Sequence, residues 1–267
     1  MKIRSMLATA GLLLAALAAP ALASESEVAL KTAEWSFDGP FGTYDAAQIR
    51  RGFQVYKDVC AACHSLKYVS YRNLSGPQGP FHTPADPKLG EDAVKALIDG
   101  IEVPDLDDAG EPITRQARLS DPFRSPFANE KAARAANNGA NPPDLSVMVK
   151  ARAGGADYLY SILTGYEEAP GDVVMQPGMS YNRFFAGHQI GMPQPIVSDD
   201  QVTYTEPGAP KASVDQMARD VTAFLAWASE PHMEERKRMG LSVLLFLAFL
   251  AALLYLSYQR IWADVEH

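Results

Sequence analysis

Five consecutive residues, Cys60-Ala61-Ala62-Cys63-His64, carry the densest chemistry in this 267-residue sequence. Two thiols three positions apart can each form a thioether to a vinyl group on one edge of a porphyrin. The histidine that follows then lies under the iron, where its imidazole can ligate it. This is the c-type haem attachment pattern. Covalent attachment keeps a haem bound in an exported protein. No other cysteine is present, so no long-range disulfide framework can form. Two rival chemistries use the same side chains. A thioredoxin-like redox pair wants a βαβ setting, which the flanking sequence does not offer. A zinc site needs a fourth ligand beyond Cys60, Cys63 and His64. His82, His188, His232 and His267 are available, but none stands at a finger-like spacing.

Electron-transfer haems commonly pair histidine with methionine, which raises the reduction potential. The candidates are Met148, Met175, Met179 and Met192. Most methionines are core filler. Met192 stands out because Gly191 precedes it and Pro193-Gln194-Pro195 follows. Prolines fix the backbone, and a thioether is a weak ligand that needs a rigid loop. His188 is the rival and would give a bis-histidine iron. With both axial positions filled the iron has no open site, which leaves outer-sphere electron transfer.

The elements that must position these residues can be read from the pattern. Residues 45–59 predict a helix leading into the motif, with Asp45 and Gln48 at its start and Ile49, Phe53 and Tyr56 at helical spacing. Residues 24–44 read as extended, with Trp35, Phe37 and Phe41 as packing anchors. Residues 75–90 are a Pro/Gly-rich loop. Residues 91–111 gather eight carboxylates around Lys95 alone. Helices are expected over 128–136 and 157–164, the first broken by Asn137-Asn138-Gly139 and the second by Gly165. Residues 166–212 read as loop. The strongest helix is 214–230, with Ser213 and Gln216 as a capping box and Val214, Met217, Val221, Phe224 and Leu225 as an apolar stripe.

Two segments bear on location. Residues 1–23 read as a signal peptide, with Lys2 and Arg4, an apolar stretch and a small-x-small site before Ser24. Met239 to Tyr258 holds no charge and, at about 1.5 Å per residue, spans about 30 Å as a helix. The expected organisation is therefore a leader (1–23), an exported haem domain (24–235) and a C-terminal anchor with a short tail (236–267). Arg236, Lys237 and Arg238 oppose this orientation, since the positive-inside rule would put them inside. Composition is 47% hydrophobic and 21% charged, with a formal net charge of −8. That balance excludes nucleic acid as a partner and favours a basic protein.

The sequence resembles the cytochrome c1 family of the ubiquinol–cytochrome c reductase (cytochrome bc1) complex over nearly all of the mature chain. The likeness includes Arg51-Gly52-Phe53-Gln54-Val55-Tyr56, Tyr71-Arg72-Asn73-Leu74, residues 132–139, Pro142-Pro143-Asp144-Leu145-Ser146, Leu163-Thr164-Gly165-Tyr166 and Met192-Pro193. The resemblance implies one covalent haem c on Cys60 and Cys63, with His64 and Met192 as axial ligands. It implies haem contacts from Arg152 and Tyr158, which face the propionates, and from Pro142 and Pro143. It implies an electron-transfer subunit that performs no bond chemistry by itself. The Rieske iron–sulfur protein would reduce it, and soluble cytochrome c would oxidise it, docking on acidic region 91–111 with Asp105, Asp107 and Asp108 as expected contacts. Cytochrome b would pack on the anchor in a bacterial inner membrane, with the haem domain periplasmic. Certain bacterial relatives hold the methionine loop with an extra disulfide, so packing and proline alone are expected to hold it here. The fold expected is mainly α, a cytochrome-c-like haem domain with long loop insertions plus one C-terminal transmembrane helix.

Overall fold

An aspartate opens the helix that carries the motif. The Asp45 carboxylate accepts hydrogen bonds from the Ala47 and Gln48 N–H groups at 2.9 and 3.2 Å, satisfying donors that a helix start leaves unpaired. In the computed structural model, which describes residues 28–264, this helix is α1, Ala46–Asp58. The expected leader, 1–23, and His267 lie outside the described residues. A single 3₁₀ turn, Cys60–Ala62, follows α1. Next come α2 (Tyr71–Ser75), α3 (Pro87–Ile98), β1 (Glu102–Leu106), β2 (Pro112–Gln116) and α4 (Glu130–Ala136). The chain continues through α5 (Gly155–Thr164), β3 (Ser180–Tyr181), β4 (Gln189–Ile190), α6 (Val214–Ser229) and α7 (Met233–Trp262). The described residues are thus mainly helical, with two small antiparallel hairpins, β1–β2 and β3–β4.

Helices α1 and α6 cross at Gly52. A Cβ there would overlap the Asp220 carbonyl oxygen and come within 2.7 Å of Phe224 Cβ. Glycine lets the backbones touch, and a buried ion pair locks the contact. Asp220 is fully buried, and its carboxylate accepts from Arg51 Nε (2.9 Å) and Nη2 (3.2 Å), Tyr204 Oη (2.7 Å) and Gln216 Nε2 (2.9 Å). A buried carboxylate survives only when such donors replace its lost water. Around it Phe53, Tyr56, Phe123 and Phe224 pack edge-on or tilted. Burying Phe224 and Ile49 stabilises the domain by roughly 1.5–3 kcal/mol each.

The expected helices near 45–59, 128–136, 157–164 and 214–230 are present. Helix α3 and the β1–β2 hairpin occupy the acidic stretch, where no element was anticipated. Phe41 is not a packing anchor, being 77% exposed. The box at α6 is only half made. Ser213 Oγ accepts from Gln216 N at 3.1 Å, while the Gln216 side chain turns to Asp220.

Pro231 follows α6, and α7 begins at Met233, earlier than the apolar run at Met239. The helix is long and apolar enough to cross a membrane, and its most apolar 18 residues have a mean hydropathy of 2.5 and are entirely exposed. Its first turns are stitched to the loop before α1. Tyr44 N donates to Glu234 Oε1 at 2.8 Å, and Tyr44 Oη to the Ala226 and Glu230 carbonyls at 3.1 and 3.2 Å. Lys237 Nζ donates to the Phe37 and Gly42 carbonyls at 2.7 and 3.0 Å, and Arg236 pairs with Glu230. Two of the three basic residues that oppose the expected orientation therefore hold the domain on its anchor. Gly52→Ala is expected to destabilise the domain by at least ~2 kcal/mol, read from thermal melts of the detergent-solubilised chain. An unchanged melt would show that the α1–α6 approach is dispensable.

Candidate haem site

Helix α1 ends at Asp58, and the chain tightens so that His64 N donates to Cys60 O at 2.9 Å. This turn fixes the spacing of the two thiols and the imidazole. Both cysteines are free and half-buried. Burial, with the neighbouring Cys63 adding to it, pushes the Cys60 thiol up to about 12. A redox-active thiol pair needs a thiolate near neutral pH, which the burial of Cys60 opposes.

His64 is held at two points. Its carbonyl accepts from Tyr56 Oη at 3.1 Å, and its ring Nδ1 lies 2.8 Å from the Pro143 carbonyl oxygen. A carbonyl only accepts, so Nδ1 carries the proton and Nε2 presents its lone pair. Burial lowers the imidazole from its ordinary value, and the Pro143 carbonyl and Asp144 charge offset this only in part. The ring is therefore neutral, as a metal ligand must be. Free thiols, a neutral imidazole and a backbone-fixed tautomer fit a covalently held haem iron, so Cys60, Cys63 and His64 are the residues that could hold one.

The remaining expected residues lie on separate segments. Pro142 is half-buried and Pro143 exposed, in the stretch whose carbonyl meets His64. Arg152 is exposed, donates to the Ala151 carbonyl at 3.1 Å, and pairs with no carboxylate among the described residues. Tyr158 is half-buried in the first turns of α5, its ring against the core. Gly154, at φ 82, turns the chain into α5, so Arg152 and Tyr158 flank a helix N-terminus, where an anionic group is favoured.

Met192 is half-buried in the loop after β4. That loop is held by more than packing and proline. Tyr166 Oη donates to Met192 O at 3.1 Å, Gln194 Nε2 to Ile196 O at 2.8 Å, and Gln201 Nε2 to Pro195 O at 2.8 Å. A Cβ on Gly191 would stand 3.3 Å from Ala140 Cβ and 3.7 Å from Met179 Sδ. One segment, 140–145, thus touches both the His64 ring and the approach to Met192. Met179 keeps a second thioether beside this loop, whereas Met148 is in the core. His188, the other rival, sits at φ 58 with its ring stacked on Tyr181 at 5.7 Å.

The acidic stretch divides by burden. Asp105 binds Arg115, which also holds Asp121 at 2.6 and 3.0 Å. Asp107 Oδ1 caps the hairpin turn through the Ala109 and Glu111 N–H groups at 2.8 and 2.9 Å. Asp99, Glu102, Asp108 and Glu111 are exposed, and no side chain among the described residues engages their carboxylates. Two of the three aspartates expected at a docking face are committed inside the hairpin, a role that spacing does not reveal.

In chain produced without haem maturation, iodoacetamide is expected to alkylate Cys60 at least roughly tenfold more slowly than a small thiol at pH 8, read by mass spectrometry. Fast alkylation would restore the redox-pair reading.

Residues 35–265 match the cytochrome C1 family. The chain is 43% identical to cytochrome c1 of Rhodospirillum rubrum, over 99% of this chain and 98% of that one. It is 46% identical to the mitochondrial cytochrome b-c1 complex catalytic subunit of Candida albicans, over 87% of this chain and 77% of that one. It is 44% identical to a cytochrome b/c1 of Bradyrhizobium diazoefficiens over 86% of its own length, but spans only 35% of that longer protein. The attachment motif, the apolar C-terminal helix and these matches agree: the chain belongs to the cytochrome C1 family, whose members bind haem and transport electrons.

Proposed function

We propose that this chain is the cytochrome c subunit of a ubiquinol–cytochrome c reductase, taking one electron from a Rieske iron–sulfur protein and passing it to soluble cytochrome c. The observation that carries this reading is the His64 imidazole, fixed by the Pro143 carbonyl at 2.8 Å directly after the paired cysteines. Cys60 and Cys63 would tether a single haem c within a cytochrome-c-like domain, with His64 and Met192 as axial ligands. Bound there, haem supplies a one-electron iron(III)/iron(II) couple. The chain's own work is to hold that group, exclude other ligands and present it. Arg152, free of a carboxylate partner among the described residues, and the Tyr158 hydroxyl suit the propionates as cation and donor. Pro142 and Pro143 line the His64 side.

The partners are inferred from chemistry. The relatives named cytochrome b/c1 and cytochrome b-c1 complex subunit support a cytochrome b neighbour, against which the exposed apolar faces of α7 would pack. The acidic surface supports a basic carrier, steered by long-range attraction. Its free charges are Asp99, Glu102, Asp108 and Glu111 on one stretch and the exposed Glu167, Glu168 and Asp172 on another. With 1–23 as its leader and α7 as its single span, the haem domain would lie on the periplasmic side of a bacterial inner membrane.

Mild-detergent extraction is expected to bring down cytochrome b with a haem-stained band at this chain's mass after denaturation. Isolation as a lone haem protein would favour a free tethered carrier, and a colourless band would end the haem reading. Met192→Leu is expected to abolish the weak sulfur-to-iron band and lower the potential sharply, while Met179→Leu leaves both unchanged; the reverse pattern would move the ligand to Met179. Neutralising Glu102, Asp108 and Glu111 together is expected to slow oxidation by cytochrome c several-fold at low salt, with the difference shrinking as salt rises. Equal rates at low salt would remove the docking role.

A further inference from the structure

Pro142 and Pro143 have no N–H to donate, so neither can anchor this stretch as a backbone donor. Yet the Pro143 carbonyl must stay in hydrogen-bond reach of His64. The next residue, Asp144, supplies the anchor. Asp144 Oδ2 accepts from Ser65 Oγ at 2.7 Å and from Lys67 N at 2.9 Å, and Oδ1 accepts from Ser146 N at 2.9 Å. The same two lengths of chain are joined by Leu145 N to Ser65 O at 2.9 Å and Tyr68 N to Ser146 Oγ at 3.1 Å. Ser146 is fully buried and Ser65 is buried. One carboxylate thus clips the chain just after His64 to the chain just after Pro143.

We propose that Asp144 is a positioning residue for the proximal imidazole: by clipping residues 65–67 to 144–146 it holds the Pro143 carbonyl on His64 Nδ1 and thereby sets how strongly Nε2 donates to a bound iron. A hydrogen bond on the far ring nitrogen raises a histidine ligand's basicity and fixes its orientation. Stronger donation favours iron(III), so a loosened clip raises the reduction potential. Asp157 is a fit comparison. It also bridges segments, accepting from Ala33 N at 3.1 Å and Trp35 Nε1 at 2.7 Å, but it does not touch the His64 side.

The inference rests on the haem reading above, and the two fail differently. The test uses the full chain in its detergent-extracted complex, with α-band redox titration and the low-spin ferric EPR signal as readouts. Asp144→Ala is expected to raise the potential and shift the EPR g-values. Ser65→Ala, which removes one arm only, should shift both in the same direction by less. Asp157→Asn should lower the melting temperature without moving either. If Asp144→Ala fails to accumulate, Ser65→Ala and Asp144→Asn decide. Unmoved potential and g-values in every clip variant, with a normal parent spectrum, would overturn the positioning role. An equal shift in Asp157→Asn would reduce it to general loosening. A parent chain without a haem spectrum would sink the haem reading instead.

Discussion

A fully buried carboxylate governs this fold. Asp220 is fully enclosed where α6 meets α1, and its charge is tolerated only because Arg51, Tyr204 and Gln216 all point at it. Each donor comes from a different place: α1, the loop before α6, and α6 itself. Assembling them requires the two helices to meet backbone to backbone, which Gly52 permits. Packing and electrostatics therefore demand one arrangement. Removing Arg51 would leave a buried charge without its counter-ion, a far larger penalty than the loss of one surface pair.

That arrangement places the chemistry. Helix α1 delivers the paired thiols and the imidazole as it ends, so its orientation is theirs. The rest of the candidate site is built from loops, and loops need their own restraints. Here they are hydrogen bonds from tyrosine and glutamine side chains to carbonyls around Met192, and those made by an aspartate beside Pro143. A loop without a disulfide can still be held in place when enough side chains cap its backbone.

How legible this was depended on range. The attachment motif, the helices starting at Asp45 and Ser213, and the break at Asn137-Asn138-Gly139 rest on contacts a few residues apart, and the sequence displays them. Asn138 and Gly139 do take positive φ, at 50 and 88°. The β1–β2 hairpin was hidden because charge masks periodicity and because Pro104 and Pro112 argue against strands. In a two-stranded ribbon every strand is an edge, so prolines are accommodated. The Met192 assignment came from family likeness, since spacing alone left Met179 and His188 open. The Asp144 and Asp220 networks depend on bonds such as Lys67 to Asp144 and Arg51 to Asp220, 77 and 169 positions apart, and no local pattern encodes such pairs. Phe41, expected as a packing anchor beside Trp35 and Phe37, faces outward, because an aromatic side chain alone does not say which way its loop turns.

The stitched junction at Tyr44, Glu234 and Lys237 has a mechanical meaning. Lys237 reaches two carbonyls of the loop before α1, and Tyr44 grips the end of α6 and the start of α7. The domain therefore stands on its helix like a lamp on a rigid post, not like a buoy on a tether. With α7 in a bilayer, the junction would set the domain's height and the direction it faces. A partner that exchanged electrons with the proposed haem would then meet a domain already aimed by this junction.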